Sequence, residues 1–283
     1  MKPVEYYTYM FPQLTLIPSV GKSQSEEYKN IVLRGIFPDD LTFPMKVSNK
    51  EELIEVETPI GKIEAIYLPL REVFERFVVC LSNRCEPLEI PKTTGAMYIS
   101  GINCWRKIHK HKEEFLKDHS EDLWGEEFDR FTANKENYKG IVLLISEGYY
   151  SACEPGFVGF DVQEWIKISK DIRIYHEITH AVSRKLYPEH IEAIRDEILA
   201  DSIGVYYALN RFDSLLIKKF LGIENEGYRE GGRLQNYSKD IEKDMKYAKE
   251  LIEKLEIYFN TCPHLKPLDI LIDIENKYIK WGN

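Results

Sequence analysis

The sequence predicts an α+β fold on three observations. Strand-like apolar runs concentrate before residue 146, helical periodicity dominates from about residue 171, and no repeat or low-complexity tract interrupts either pattern. The expected organisation is a mixed α/β N-terminal lobe over residues 1–135 and a mostly helical, metal-binding lobe over 136–283, with any active cleft between them. The polar stretch at 132–139 marks the seam. A chain of 283 residues is long enough for one large or two medium cores, and 43% apolar with 30% charged residues is the balance of a soluble globular protein.

In chain order, strands are expected at Asn30–Arg34, Glu52–Glu57 and Lys62–Tyr67, with turns at Pro38-Asp39-Asp40 and Pro59-Ile60-Gly61. Residues 71–83 carry amphipathic helical spacing, 96–100 read as a strand, and 103–117 as a second helix. That helix holds the basic run Arg106–Lys112, which reads as a solvated face because Glu113, Glu114 and Lys117 continue it. Gly140–Ile145 is a short β-branched run expected as a buried strand. An aromatic, glycine-rich loop follows over Tyr149–Phe160 and suits a pocket wall or plain surface packing. A helix is expected from Asp171, as N-cap, to Tyr187, with Ile174, Ile178, Val182 and Leu186 as its apolar stripe. Pro188 breaks it, and a second helix runs from Glu189 to Leu209. A last charged helix spans Ser238–Phe259, with Tyr247, Leu251, Leu255 and Tyr258 on one face.

The chemistry lies in His176-Glu177-Ile178-Thr179-His180. Helical positions four apart share a face, so both imidazoles can reach one ion, and Glu177 can lean toward a water there as a general base. The following helix supplies carboxylates at matching heights. His180 lies 8 residues before Pro188 and Glu197 lies 9 after it, while His176 and Asp201 lie 12 before and 13 after. At about 1.5 Å per residue, antiparallel neighbours bring each pair level. Glu197 can then close a metal site beside His180, and Asp201 can accept the outer N–H of His176.

This pattern resembles the gluzincin metallopeptidases, the thermolysin-like group, over about residues 140–210. The resemblance implies a zincin-like lobe with one Zn2+ bound by His176, His180 and Glu197. It also implies Glu177 as base and Asp201 as the carboxylate behind a histidine. It further implies a sheet edge beside the metal where an extended peptide adds as a strand, for which residues 141–147 are the candidate. The 16-residue gap between His180 and Glu197 is short for the group, which leaves Glu192 and Asp196 as alternatives for the third ligand. Donors to a developing oxyanion are sought in Glu226–Tyr237, where Gly231-Gly232 allows close backbone approach. Arg233 and Tyr237 are the candidates there, with a flexible turn as the plain alternative. Tyr206 and Tyr207 are expected in the core, and His190 and His264 as structural histidines.

The expected function is therefore a zinc metallopeptidase acting on a peptide or protein. The alternative is a non-hydrolytic zinc protein, either a structural metal site or a peptide-binding pseudo-peptidase. A helical di-iron carboxylate protein needs a second Glu-x-x-His, and Glu177-x-x-His180 has no counterpart. A net charge of −9 argues against nucleic acid as a partner. The chain has no apolar run long enough for a membrane span, and the N-terminus does not read as a signal peptide. Five cysteines without a CxxC pair (Cys80, Cys85, Cys104, Cys153 and Cys262) suggest reduced thiols in a cytoplasmic protein.

Overall fold

A mixed four-stranded sheet and a set of packed helices account for the architecture of this α+β protein, seen in a computed structural model that describes residues 1–225, 227–261 and 265–277. Packing divides the chain into two units. The first is Met1–Glu55 with Glu64–Ser146, and the second is Val56–Ile63 with the chain from Glu147 onward. Cys262 and His264 lie outside the described residues.

The sheet comprises β1 (Glu52–Thr58), β2 (Gly61–Leu68), β3 (Ala96–Asn103) and β4 (Lys139–Ser146), in the order β1-β2-β4-β3. β4 runs parallel to β2, with Ala65 opposite Leu143, and antiparallel to β3, with Ala96 opposite Ile145. Its Val142, Leu143, Leu144 and Ile145 are fully buried, the unbroken apolar pattern of a strand covered on both faces. Two corrections follow. The seam falls after Ser146 rather than near residue 135, because β4 is hydrogen-bonded into the sheet of the first unit. Residues 141–147 are not a free edge for an added strand, since β4 has a neighbour on each side.

The helix Arg71–Ser82 buries Val73, Phe74, Phe77 and Val78 in one core with Ile66, Leu68, Val142 and Leu144 of the sheet. Tyr7 and Phe11 from the N-terminal segment complete that core. The strand expected at Asn30–Arg34 is instead a π-helical turn over Lys29–Arg34. Its backbone finds side-chain partners rather than a ladder: the Val32 carbonyl accepts from the Trp105 indole at 3.0 Å and from Asn103 Nδ2 at 3.2 Å. Gly35, at φ 67°, ends the turn against Trp105. The basic run is only partly solvated: Lys110 is exposed, whereas Arg106 lies 4.0 Å over the ring of the distant Tyr9 and Lys112 bonds Glu121.

In the second unit the histidine-bearing helix covers Val162–Leu186, beginning nine residues earlier than expected. Asp161, not Asp171, is its N-cap, accepting from the Glu164 amide at 2.9 Å. Trp165, Ile168 and Ile172 extend the buried stripe backwards through Ile174, Ile178 and Val182. After a 3-10 turn at Pro188–His190 the carboxylate-bearing helix covers Ala193–Leu209. Glu192 caps it, accepting from the amides of Ile194 and Arg195. Arg195 and Glu275, both buried, form a two-pronged ion pair at 3.0 and 2.9 Å that fastens helix Pro267–Asn276 to the first turn of the carboxylate helix. His190 joins that pair through Glu275 at 2.9 Å, the structural role expected of it. The charged helix runs Ile241–Thr261, with Leu251, Leu255 and Tyr258 buried and Tyr247 exposed. No helix among the described residues is long and apolar enough to cross a membrane.

The histidine and carboxylate helices pack tightly at Gly204, where a β-carbon would stand 2.8 Å from the Ile172 carbonyl oxygen. Gly204→Val is therefore expected to force the pair apart and cost about 1–3 kcal/mol or more, read from the urea midpoint. An unchanged midpoint would contradict this account of the packing.

Candidate metal centre

His176 and His180 face the carboxylate helix from the buried side of their own, and the pairing by height holds. His176 Nδ1 lies 3.0 Å from Asp201 Oδ1, and His180 Nε2 lies 3.3 Å from Glu197 Oε1. The two Nε2 atoms stand 3.0 Å apart, and Glu197 Oε2 is 3.6 Å from His176 Nε2. The three side chains offer ligand atoms all within 4.8 Å of one another. Donors about 2.1 Å from a tetrahedral ion sit about 3.4 Å from one another, so this spacing accommodates an ion with little movement. Glu197 Oε2 is buried without a hydrogen-bond partner among the described residues, which a bound cation would satisfy. The donor set thus fits a metal ion.

Both imidazoles are oriented from behind. Asp201 and the Tyr150 hydroxyl bind His176 Nδ1 at 3.0 and 2.8 Å, and Asp196 binds His180 Nδ1 at 2.8 Å. A carboxylate on Nδ1 keeps the proton there and leaves Nε2 as the ligand atom. Asp196 is therefore a support and Glu192 a cap, which leaves Glu197 as the third ligand. The height argument that selects Glu197 selects Asp196 equally, since Asp196 lies 8 residues after Pro188. Helix phase assigns their separate roles.

Sequence reasoning missed Tyr150. Its hydroxyl donates to Asp201 Oδ1 at 2.6 Å as well as meeting His176. The histidine helix pins the segment that carries it. Arg173 donates to the carbonyls of Gly148 and Tyr149 at 2.6 and 2.8 Å, and Ser169 accepts from the Tyr150 amide at 2.9 Å. Ser151 and Ala152, each at φ 53°, then turn the chain away in the left-handed region that non-glycine residues rarely adopt. No local pattern marks a tyrosine 26 residues before the histidine it touches.

Arg233 lies beside this network but not as an exposed donor. Its guanidinium bonds Asp201 Oδ2 and the Tyr150 hydroxyl, the latter at 3.1 Å. It neutralises the carboxylate behind His176. Tyr237 lies beside Glu197; burial and then that carboxylate push its hydroxyl well above the usual tyrosine range. Glu177 is half-buried, one residue past His176, and its carboxylate makes no hydrogen bond or ion pair with the described residues. Tyr206 is buried as expected, whereas Tyr207 is exposed and stacks on Tyr175 at 3.6 Å. Cys80, Cys85, Cys104 and Cys153 are free, buried thiols.

The charges are mutually adjusted. Burial resists a charge on His180, but its hydrogen bonds to Asp196 and Glu197 outweigh this and push it up to about 10. Burial likewise opposes the Glu197 carboxylate, yet the two histidines and Arg233 hold it down at about 2. Asp201 is held well below its usual range against the same burial, chiefly by Arg233.

A family model matches residues 4–258. The chain belongs to the family of unknown function DUF7005. No curated protein and no solved structure matches it.

Three outcomes are expected of this DUF7005 protein. Elemental analysis of the purified protein should find a single divalent metal ion, and Glu197→Ala should lose it. Asp196→Asn and Asp201→Asn should each weaken metal affinity by about 10–100-fold while leaving the ligands in place. Because His180 is raised from 6.5 to about 10, its proton stabilises the metal-free fold below 6.5, and that contribution fades as pH rises through 10. An ion competes with this proton, so apparent metal affinity should climb by up to about tenfold per pH unit across that window. A pH-independent affinity would contradict the assigned charge state.

Proposed function

We propose that this protein is a zinc-dependent metallopeptidase of the gluzincin kind, hydrolysing peptide bonds, with the second unit as its zincin-like lobe. The observation that carries the reading is the convergence of His176, His180 and Glu197, with both Nδ1 atoms committed to carboxylates. Two imidazoles and one carboxylate form a borderline donor set suited to zinc. Three protein ligands are the number found in catalytic sites, where a fourth position stays open, whereas structural zinc sites are closed by four. Among the described residues no fourth side chain converges, which favours catalysis over the structural alternative.

When bound, the ion supplies Lewis acidity toward a water and a substrate carbonyl. The protein's own residues handle the protons. Glu177 projects from the same helix as both histidines and is not consumed by an ion pair, so it can accept the water's proton and deliver it to the leaving amine. Tyr237, beside Glu197 and held protonated by its surroundings, is the available donor to developing negative charge. Arg233, Asp201 and Tyr150 act on His176 from behind and keep its ring in the orientation binding needs.

Glu177→Gln separates this reading from a non-hydrolytic metal protein. The variant should retain its zinc yet lose peptide hydrolysis by at least about 100-fold, measured on a mixed peptide library by mass spectrometry. Chelation of the native protein should abolish hydrolysis and added zinc restore it. Full activity in Glu177→Gln would eliminate the mechanism. A zinc-loaded native protein that cleaves nothing in the library would favour the non-hydrolytic reading.

A further inference from the structure

The first unit contains a cavity of about 510 Å³ that the proposed chemistry does not use. Lys29, Arg84 and Lys139 line it, and no aspartate or glutamate does. That is notable in a chain with 47 acidic against 38 basic residues, where a random patch of wall would be expected to carry carboxylates. Lys139 rises from the start of β4 and is half-buried. Its ammonium bonds the amide oxygen of Asn103 and has no carboxylate partner among the described residues. Burial, together with Lys135, lowers its pKa. Arg84 likewise has no ion-pair partner among the described residues, and it sits at φ 54° in the turn that ends helix Arg71–Ser82. Lys29 is only loosely held, 3.5 Å from an exposed Glu26. The rest of the lining is mixed: Val32, Leu33 and Ile102 offer apolar surface beside the polar Gln13, Gln24 and Asn103. The β-bulge between Ser100 and Ile102, with Gly101 at φ 77°, shapes this side of the cavity.

We propose that this cavity binds a small phosphomonoester, its phosphate held by Lys139, Arg84 and Lys29 and its uncharged organic body resting on Val32, Leu33 and Ile102. A half-desolvated cation without a carboxylate partner, as Lys139 is, is costly, and a dianionic group placed beside it and within reach of Arg84 and Lys29 offsets that cost. The apolar part of the lining favours a ligand with an organic body over a bare anion. A volume of this size holds a molecule of metabolite dimensions and is too small for a folded partner. The inference is independent of the metal centre, whose residues all belong to the second unit.

Phenyl phosphate, inorganic phosphate and benzyl alcohol are suitable probes, titrated into the zinc-loaded full chain at matched ionic strength and followed by calorimetry and amide chemical shifts. Phenyl phosphate should bind with shifts at Val32, Gly101 and Ile102, inorganic phosphate more weakly at the same place, and benzyl alcohol not measurably. Lys139→Met should weaken phenyl phosphate by about tenfold or more. Arg84→Gln, a substitution at an exposed residue that keeps the backbone cost unchanged, should do the same without altering the fold. Equal binding of benzyl alcohol and phenyl phosphate would overturn the proposal. So would affinity unaffected by Arg84→Gln, absence of phenyl phosphate binding, or shifts confined to the metal ligands.

Discussion

The close contact between the histidine helix and the carboxylate helix is the constraint on which the candidate metal centre depends. Only six residues separate Leu186 from Ala193, so the second helix returns along the first. Gly204 lets the backbones approach, and the depth of that approach fixes the distance from the imidazoles to Glu197. The buried Arg195–Glu275 pair fastens the carboxylate helix at the turn that carries Asp196 and Glu197. A ligand set tolerant of only a few tenths of an ångström is therefore built on rigid helices rather than loops.

Burying so many charges is tolerable because they are balanced locally. Asp196, Glu197 and Asp201 bring three negative charges into one region, and Arg233 returns one positive. With neutral histidines, a divalent cation completes neutrality; without one, a proton on His180 substitutes in part. The upward displacement of His180 and the downward displacement of Glu197 and Asp201 express one requirement: this pocket is designed for more positive charge than its own side chains supply. Tyr150 extends the balance, since its hydroxyl meets Asp201, His176 and Arg233 at once and leaves none of its hydrogen-bonding capacity idle.

Most departures from the sequence expectations arise from contacts between residues distant in the chain. Asn30–Arg34 carries β-branched residues and lacks a helix signal, but it forms a π-helical turn whose Val32 carbonyl is bonded by Trp105 and Asn103, both distant in the chain. The N-terminus of the histidine helix was legible in Asp161-x-x-Glu164, a capping pattern beyond the nearer Asp171. The composition of β4 reads as a buried strand and only the family resemblance implies an edge there; its pairing with both β2 and β3 makes it interior. Arg233 is a plausible oxyanion donor by composition, and its partner Asp201 determines otherwise.

From residue order alone come the HExxH helix, the break at Pro188, the return helix and the level pairing of His180 with Glu197 and of His176 with Asp201. These follow because helical rise is constant and a short connection favours an antiparallel return. Tertiary structure alone decided which carboxylate joins the two Nε2 atoms and which supports an imidazole from behind, since Asp196 and Glu197 differ by one residue and are told apart only by rotation about the helix axis. It alone brought Tyr150 to His176 and Arg233 to Asp201 and Tyr150, because contacts across 26 and more residues depend on packing, which local sequence does not encode.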